Sequence, residues 1–195
     1  MRVWVWVPAA VALLAIGCGN GISSDEAAER AYLGLDGMVG KALTLGFDGF
    51  NMASSANIPP QSTVGDVTGT LDVSGQVDMG ASANKEMRLD LDLVDYRDAV
   101  PESDLIVTYD TEAGVPASLD LSLRGIPDAT LTGTLQGRFY MTGDLEGPVD
   151  LDLSIAGTTE ADPTVADNVR RVAGTTTVTG TATSEFGVYV VDVTL

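Results

Sequence analysis

Asp90 with Asp92, and Asp150 with Asp152, stand two residues apart, the spacing that places two carboxylates on one face of a β-strand. Paired acids of this kind can serve glycoside hydrolysis or hold calcium, provided the cross-strand separations are right. Alternation of acids with apolar residues is also what a solvated strand face produces, and that is the reading adopted for both pairs. A second set, Glu160, Asp162, Asp167 and Asn168, gathers oxygen donors suited to a hard cation, and these four are the candidate calcium ligands. Pro163 and Val165 break the acidic alternation of an EF-hand loop there. The chain has no histidine, which removes the usual general base, the usual zinc ligand and the serine-histidine and cysteine-histidine arrangements. No phosphate-loop or dinucleotide glycine pattern follows a strand and opens a helix. A noncatalytic protein without a cofactor is therefore expected. The net charge of -18 disfavours nucleic acid as a partner.

Arg2 is followed by an apolar stretch from Val3 to Ile16. It has the layout of a secretory signal, and it is too short, with Pro8 near its middle, to be a comfortable permanent span. The stretch ends in Leu14-Ala15-Ile16-Gly17-Cys18, and Cys18 is the only cysteine. This resembles the lipobox of bacterial lipoproteins. The resemblance implies cleavage before Cys18, lipid attachment to Cys18, and anchoring of the mature protein in the cell envelope. Gly19 is not the aspartate that favours inner-membrane retention in enterobacterial lipoproteins, so the resemblance points to the outer membrane rather than the inner. Several acyl chains anchor stably where one is marginal, each buried methylene adding about 0.8 kcal/mol. The expected organisation is a signal peptide over 1–17, a lipidated N-terminus and short linker over 18–23, and one domain over 24–195. With Arg2 removed, the net charge becomes -19. No second cysteine remains to form a disulfide.

The elements that would position these residues begin with one helix from about Ser24 to Leu45. Ser23 with Glu26 matches a capping box, and Ala28, Ala31, Leu35, Met38, Val39 and Ala42 recur on one face. Gly34, Gly37 and Gly40 interrupt it and mark close packing or an early break. Beyond Pro60 the period becomes two. Alternating apolar sets run through Leu71, Val73, Val77 and Met79; Met87 to Leu93; Leu105 to Tyr109; Leu119 to Leu123; Leu131 to Met141; Val149 to Ile155; Val172 to Val178; and Phe186 to Leu195. The connections are too short for crossover helices, so the strands are expected to be antiparallel, most simply as a meander. In the last segment Phe186, Val188 and Val190 share one parity and Val191, Val193 and Leu195 the other, which predicts a bulge near Val190 or burial on both faces.

The fold expected is mainly β: a curved antiparallel sheet or barrel of about eight strands with one N-terminal helix, its strand glycines Gly75, Gly133 and Gly137 providing bends. Lys85, Arg88 and Arg124 read as isolated surface charges, Arg170-Arg171 as balancing local acids, and Tyr96, Tyr109, Phe139 and Tyr140 as packing residues or pocket lining. Function follows as a noncatalytic envelope lipoprotein, its lipid-anchored β domain a binding, carrier or structural module for an apolar ligand or an envelope protein. A small outer-membrane β-barrel and a carboxylate-dependent hydrolase such as a glycosidase are the alternatives.

Overall fold

The computed structural model describes residues 20–78, 82–101 and 103–195. The expected signal segment, Cys18 and Met79 lie outside them. The helical segment begins at α1 (Asp25–Leu33), one residue later than the capping box implies: Ser24, not Ser23, is the N-cap, and its hydroxyl accepts from the Ala27 N–H at 3.1 Å. The segment then breaks and resumes as α2 (Asp36–Met52), running beyond the expected end at Leu45. The break has a local cause. Tyr109 donates its hydroxyl to the Ala31 carbonyl at 2.9 Å, taking the acceptor that Leu35 N–H would use in a continuous helix. Leu35 N–H bonds Tyr32 O instead. Gly34 makes room, since a Cβ there would lie 2.2 Å from the Tyr109 hydroxyl oxygen.

Among the described residues, ten strands form one sheet: β1 (Gln61–Val64), β2 (Thr68–Val77), β3 (Asn84–Arg97), β4 (Val107–Asp110), β5 (Ala117–Arg124), β6 (Thr130–Gly143), β7 (Gly147–Ala161), β8 (Val169–Arg171), β9 (Thr177–Ser184) and β10 (Gly187–Thr194). They occupy eight positions. β4 and β5 lie end to end between β3 and β6, and β8 and β9 lie end to end along β7. Every pairing is antiparallel and the positions follow chain order, so the topology is the expected meander with two interrupted strands. β1 and β8, each with a single apolar residue, have no counterpart among the expected strands. The seventh expected segment straddles the turn between β8 and β9.

The inward faces make one contiguous core with both helices. Helix α1 packs on β10, whereas α2 packs on β1, β2, β3 and β8. Since these strands lie toward opposite ends of the strand order, the sheet curls around the helices. One register row carries this curvature: Gly75, Leu89, Leu119, Leu135, Leu153, Gly180 and Val191 are successive cross-strand partners. Gly75 sits at φ +120, and a Cβ there would lie 2.2 Å from the Arg88 carbonyl oxygen. Only glycine tolerates both the backbone and the approach.

The last strand departs from both expectations. Its register with β9 is unbroken from Gly187 to Thr194, so no bulge lies near Val190. Nor is it buried on both faces: Val188 and Val190 stand 65% and 53% exposed on the outer side. β10 is an edge strand: its first set, Phe186, Val188 and Val190, faces solvent, and Val191 of the second set is buried in the core.

Candidate functional site

The outer face of the sheet is polar and largely used up in local pairing. Asp150 accepts two bonds from Arg138, at 2.7 and 2.6 Å, and this guanidinium holds its carboxyl below the usual carboxylate range. Asp152 accepts from Gln136 Nε2 at 2.8 Å, and Asp92 from the Thr111 hydroxyl at 2.5 Å. Asp90 is exposed and lies opposite Ser74 and Ser118. Both acid pairs therefore stand on the solvated face that alternation implies. The hollows on this side are open saddles; one of about 470 Å³ is lined by Glu86, Arg88, Asp120, Ser122 and Thr134 among others.

The four candidate calcium ligands all lie at the β7–β8 end but do not converge. Glu160 is paired with Arg170 at 2.7 Å. Asp162 Oδ1 accepts from Thr164 N–H and hydroxyl and from Val165 N–H, closing its own turn, and these bonds lower its pKa. Asp167 is exposed and adopts φ +64. Asn168 is buried and donates to Asp48 Oδ1 at 3.1 Å, leaving its own Oδ1 without a partner among the described residues. No group of three acidic, histidine or cysteine side chains placed to hold a metal occurs among the described residues. Proximity in sequence brings these oxygen donors to one hairpin, where Glu160, Asp162 and Asn168 bond separate partners.

The polar groups that sequence reasoning passed over are buried beside the helices. Asp98, 5% exposed, accepts from the Tyr96 hydroxyl, from Asp66 N–H at 2.8 Å and from Lys41 Nζ at 2.5 Å. Lys41 also bonds Asp66 at 2.8 Å and lies over the Tyr96 ring, 5.5 Å from its centroid. Burial pulls the Lys41 pKa down, but the bonds and charges of Asp66 and Asp98 outweigh it and raise it. On the other flank Arg171 forks onto Asp36 at 2.7 and 2.8 Å, and the Tyr32 hydroxyl donates to Asp36 at 2.8 Å. These two ion-pair clusters tie α2 to opposite parts of the sheet, and every polar atom named in them has a partner. Their arrangement holds helices; it leaves no free nucleophile or acid.

Other residues also move from their expected roles. Lys85 is not a surface charge: it is 5% exposed, with Nζ 4.6 Å from the Phe50 ring centroid and bonded to Ser82 O at 3.0 Å. Arg124 is bonded to Glu86, and Arg88 donates to Gln76 Oε1 at 3.2 Å. Tyr96, Tyr109 and Phe139 are core residues; Tyr140 alone of the four is exposed.

The entering chain supplies the remaining feature. Asn20 O accepts from Glu146 N–H at 3.1 Å in the β6–β7 turn, and Ile22 O accepts from the Ser184 hydroxyl at 2.6 Å beside the β9–β10 turn. Ile22 is fully buried. Asp25 Oδ1 accepts from Val190 N–H at 2.8 Å, covering one outward donor of the β10 edge. The linker expected over 18–23 is thus packed onto the domain from Asn20 onward. Comparison with protein-family models, with curated proteins and with solved structures finds no match for this chain. The fold is accordingly described in its own terms: a curled antiparallel meander closed over a broken N-terminal helix.

Proposed function

We propose that this is a noncatalytic cell-envelope lipoprotein, anchored through lipid on Cys18 at the outer rather than the inner membrane, with the β domain acting as a binding or structural module. The observation that carries the reading is the lipobox-like Leu14-Ala15-Ile16-Gly17-Cys18, two residues before Asn20, whose carbonyl is bonded to the β6–β7 turn. Both helices and all ten described strands lie after Cys18, so cleavage there removes none of them.

The interior bears on which kind of module this is. Helix side chains Tyr32, Leu35, Met38, Leu43 and Phe47 fill the concave side of the sheet, where a carrier would keep its ligand cavity. That favours an outer-surface contact, with an envelope protein as partner, over carriage of an apolar ligand. The polarity of the sheet argues against an embedded barrel: apolar residues face inward, while Asp72, Arg88, Asp90, Asp120 and Asp152 face out, the reverse of a lipid-facing band. A glycosidase needs one carboxyl kept protonated, and Arg138 pushes Asp150 the other way.

Membrane partition of the full-length protein and its C18S variant tests the reading. The wild type is expected in the membrane fraction and C18S in the detergent-free soluble fraction. Retention of C18S in the membrane would contradict a lipid anchor and favour an integral protein.

A further inference from the structure

Resting on the lipoprotein reading above, the path of the chain also orients the domain. Cys18 and Asn20 are two residues apart, a span of at most about 7 Å even when extended. Asn20 is itself fixed to the β6–β7 turn through Glu146, and Gly21 lies under the Phe186 ring, so close that a Cβ on it would meet Phe186 Cε2 at 2.3 Å. A lipid on Cys18 therefore lies within about 7 Å of Asn20 along the chain. The end of the molecule that receives the chain must then face the bilayer.

That end exposes apolar side chains. Phe186 and Val188 are 50% and 65% exposed, and Ile106 is 53% exposed, its carbonyl bonded to Asp144 N–H of the β6–β7 turn at 2.7 Å. A phenyl ring and two branched aliphatics at the tip have no protein neighbour that buries them. We infer that this tip, with Phe186 at its centre, is a membrane-contact surface that seats the domain upright on lipid when Cys18 is acylated. Asp144, Glu146 and Glu185 ring the same tip and are exposed. They repel an anionic surface, so the lipid this tip fits has zwitterionic headgroups. Its apolar area is small, and it orients a domain that the acyl chains hold rather than binding by itself.

The test uses a convenience of the sequence. Trp4 and Trp6, the only tryptophans, both precede Cys18, so the mature protein has none and an introduced one reports alone. F186W and V188W place the reporter at the tip. V165W places it on the β7–β8 loop, at the far end of the 15-residue β7, about 50 Å away along an extended strand. Each full-length variant is expressed in a lipoprotein-processing bacterial host. Its mature form is checked by intact mass for acylation and by circular dichroism for the wild-type fold, then reconstituted into phosphatidylcholine vesicles with brominated acyl chains.

The expected result is quenching of F186W emission by roughly twofold or more, with V165W unchanged. V188W gives the same answer if F186W fails to fold. Acylated protein in which neither tip reporter is quenched, or in which V165W is quenched equally, overturns the orientation while leaving the anchor standing. Absence of acyl mass overturns both.

Discussion

Tyr32, Tyr96 and Tyr109 are fully buried, and each hydroxyl donates to a carboxylate or a carbonyl beside the helix break. Burial, first of all, raises all three pKa values well above the ordinary phenol range; neighbouring Asp36 adds to this for Tyr32 and Asp98 for Tyr96. The unfolded chain ionises these phenols near pH 10, whereas the folded chain keeps them protonated. Their contribution to stability is therefore intact below pH 10 and is lost as pH rises above it, by about 1.4 kcal/mol per pH unit for each ring. Urea midpoints are expected to fall steeply between pH 10 and 11.5, with the 295 nm phenolate signal of these three rings appearing only as the protein unfolds. Phenolate formation by all of the tyrosines within an intact fold would contradict the burial. Alternation along β3 and β4 made Tyr96 and Tyr109 legible as packing residues. The partner of the Tyr109 hydroxyl was not, because Ala31 is 78 residues away, and neither was the Arg171–Asp36 pair, 135 residues apart.

At the scale of elements, the row from Gly75 to Val191 sets how tightly the sheet can curl, and glycines at its flanks let neighbouring backbones close in. Gly75→Ala adds a Cβ 2.2 Å from the Arg88 carbonyl at φ +120. The expected cost exceeds about 3 kcal/mol. Gly114→Ala, at φ +78 with nothing within 4 Å, is expected to cost only about 1–2 kcal/mol from backbone preference. Chemical denaturation compares the two, and equal costs would show that the close approach is not what Gly75 serves. The period-two pattern and the short turns made most of the sheet readable in advance. β1 (Gln61–Val64) and β8 (Val169–Arg171) each carry a single apolar residue, so no alternation registers, whereas the equally short β4 has Val107 and Tyr109. The final strand misled for a different reason: its alternation was read on the premise that valine faces a core, and at a sheet edge Val188 and Val190 do not. At the β7–β8 loop, spacing could not say which way four oxygen-bearing side chains turn, and Glu160, Asp162 and Asn168 bond separate partners.

For the whole molecule, charge dominates. A net charge of -18 opposes compaction, and salt screens it, with a Debye length of about 10 Å at 0.1 M. Thermal stability of the C18S protein at pH 7 is expected to rise between 10 mM and 300 mM sodium chloride. A fall would mean that ion pairs such as Arg171–Asp36 and Lys41–Asp98 outweigh the general repulsion. The candidate anchor was the most legible functional feature, because a signal and its cysteine are written in consecutive residues, whereas a partner surface depends on a folded face. Intact-mass analysis of the membrane-extracted protein bears most directly on the central claim. A mature chain beginning at Cys18 and carrying acyl mass is the predicted result; an unmodified chain cut elsewhere, or an uncleaved one, would contradict it.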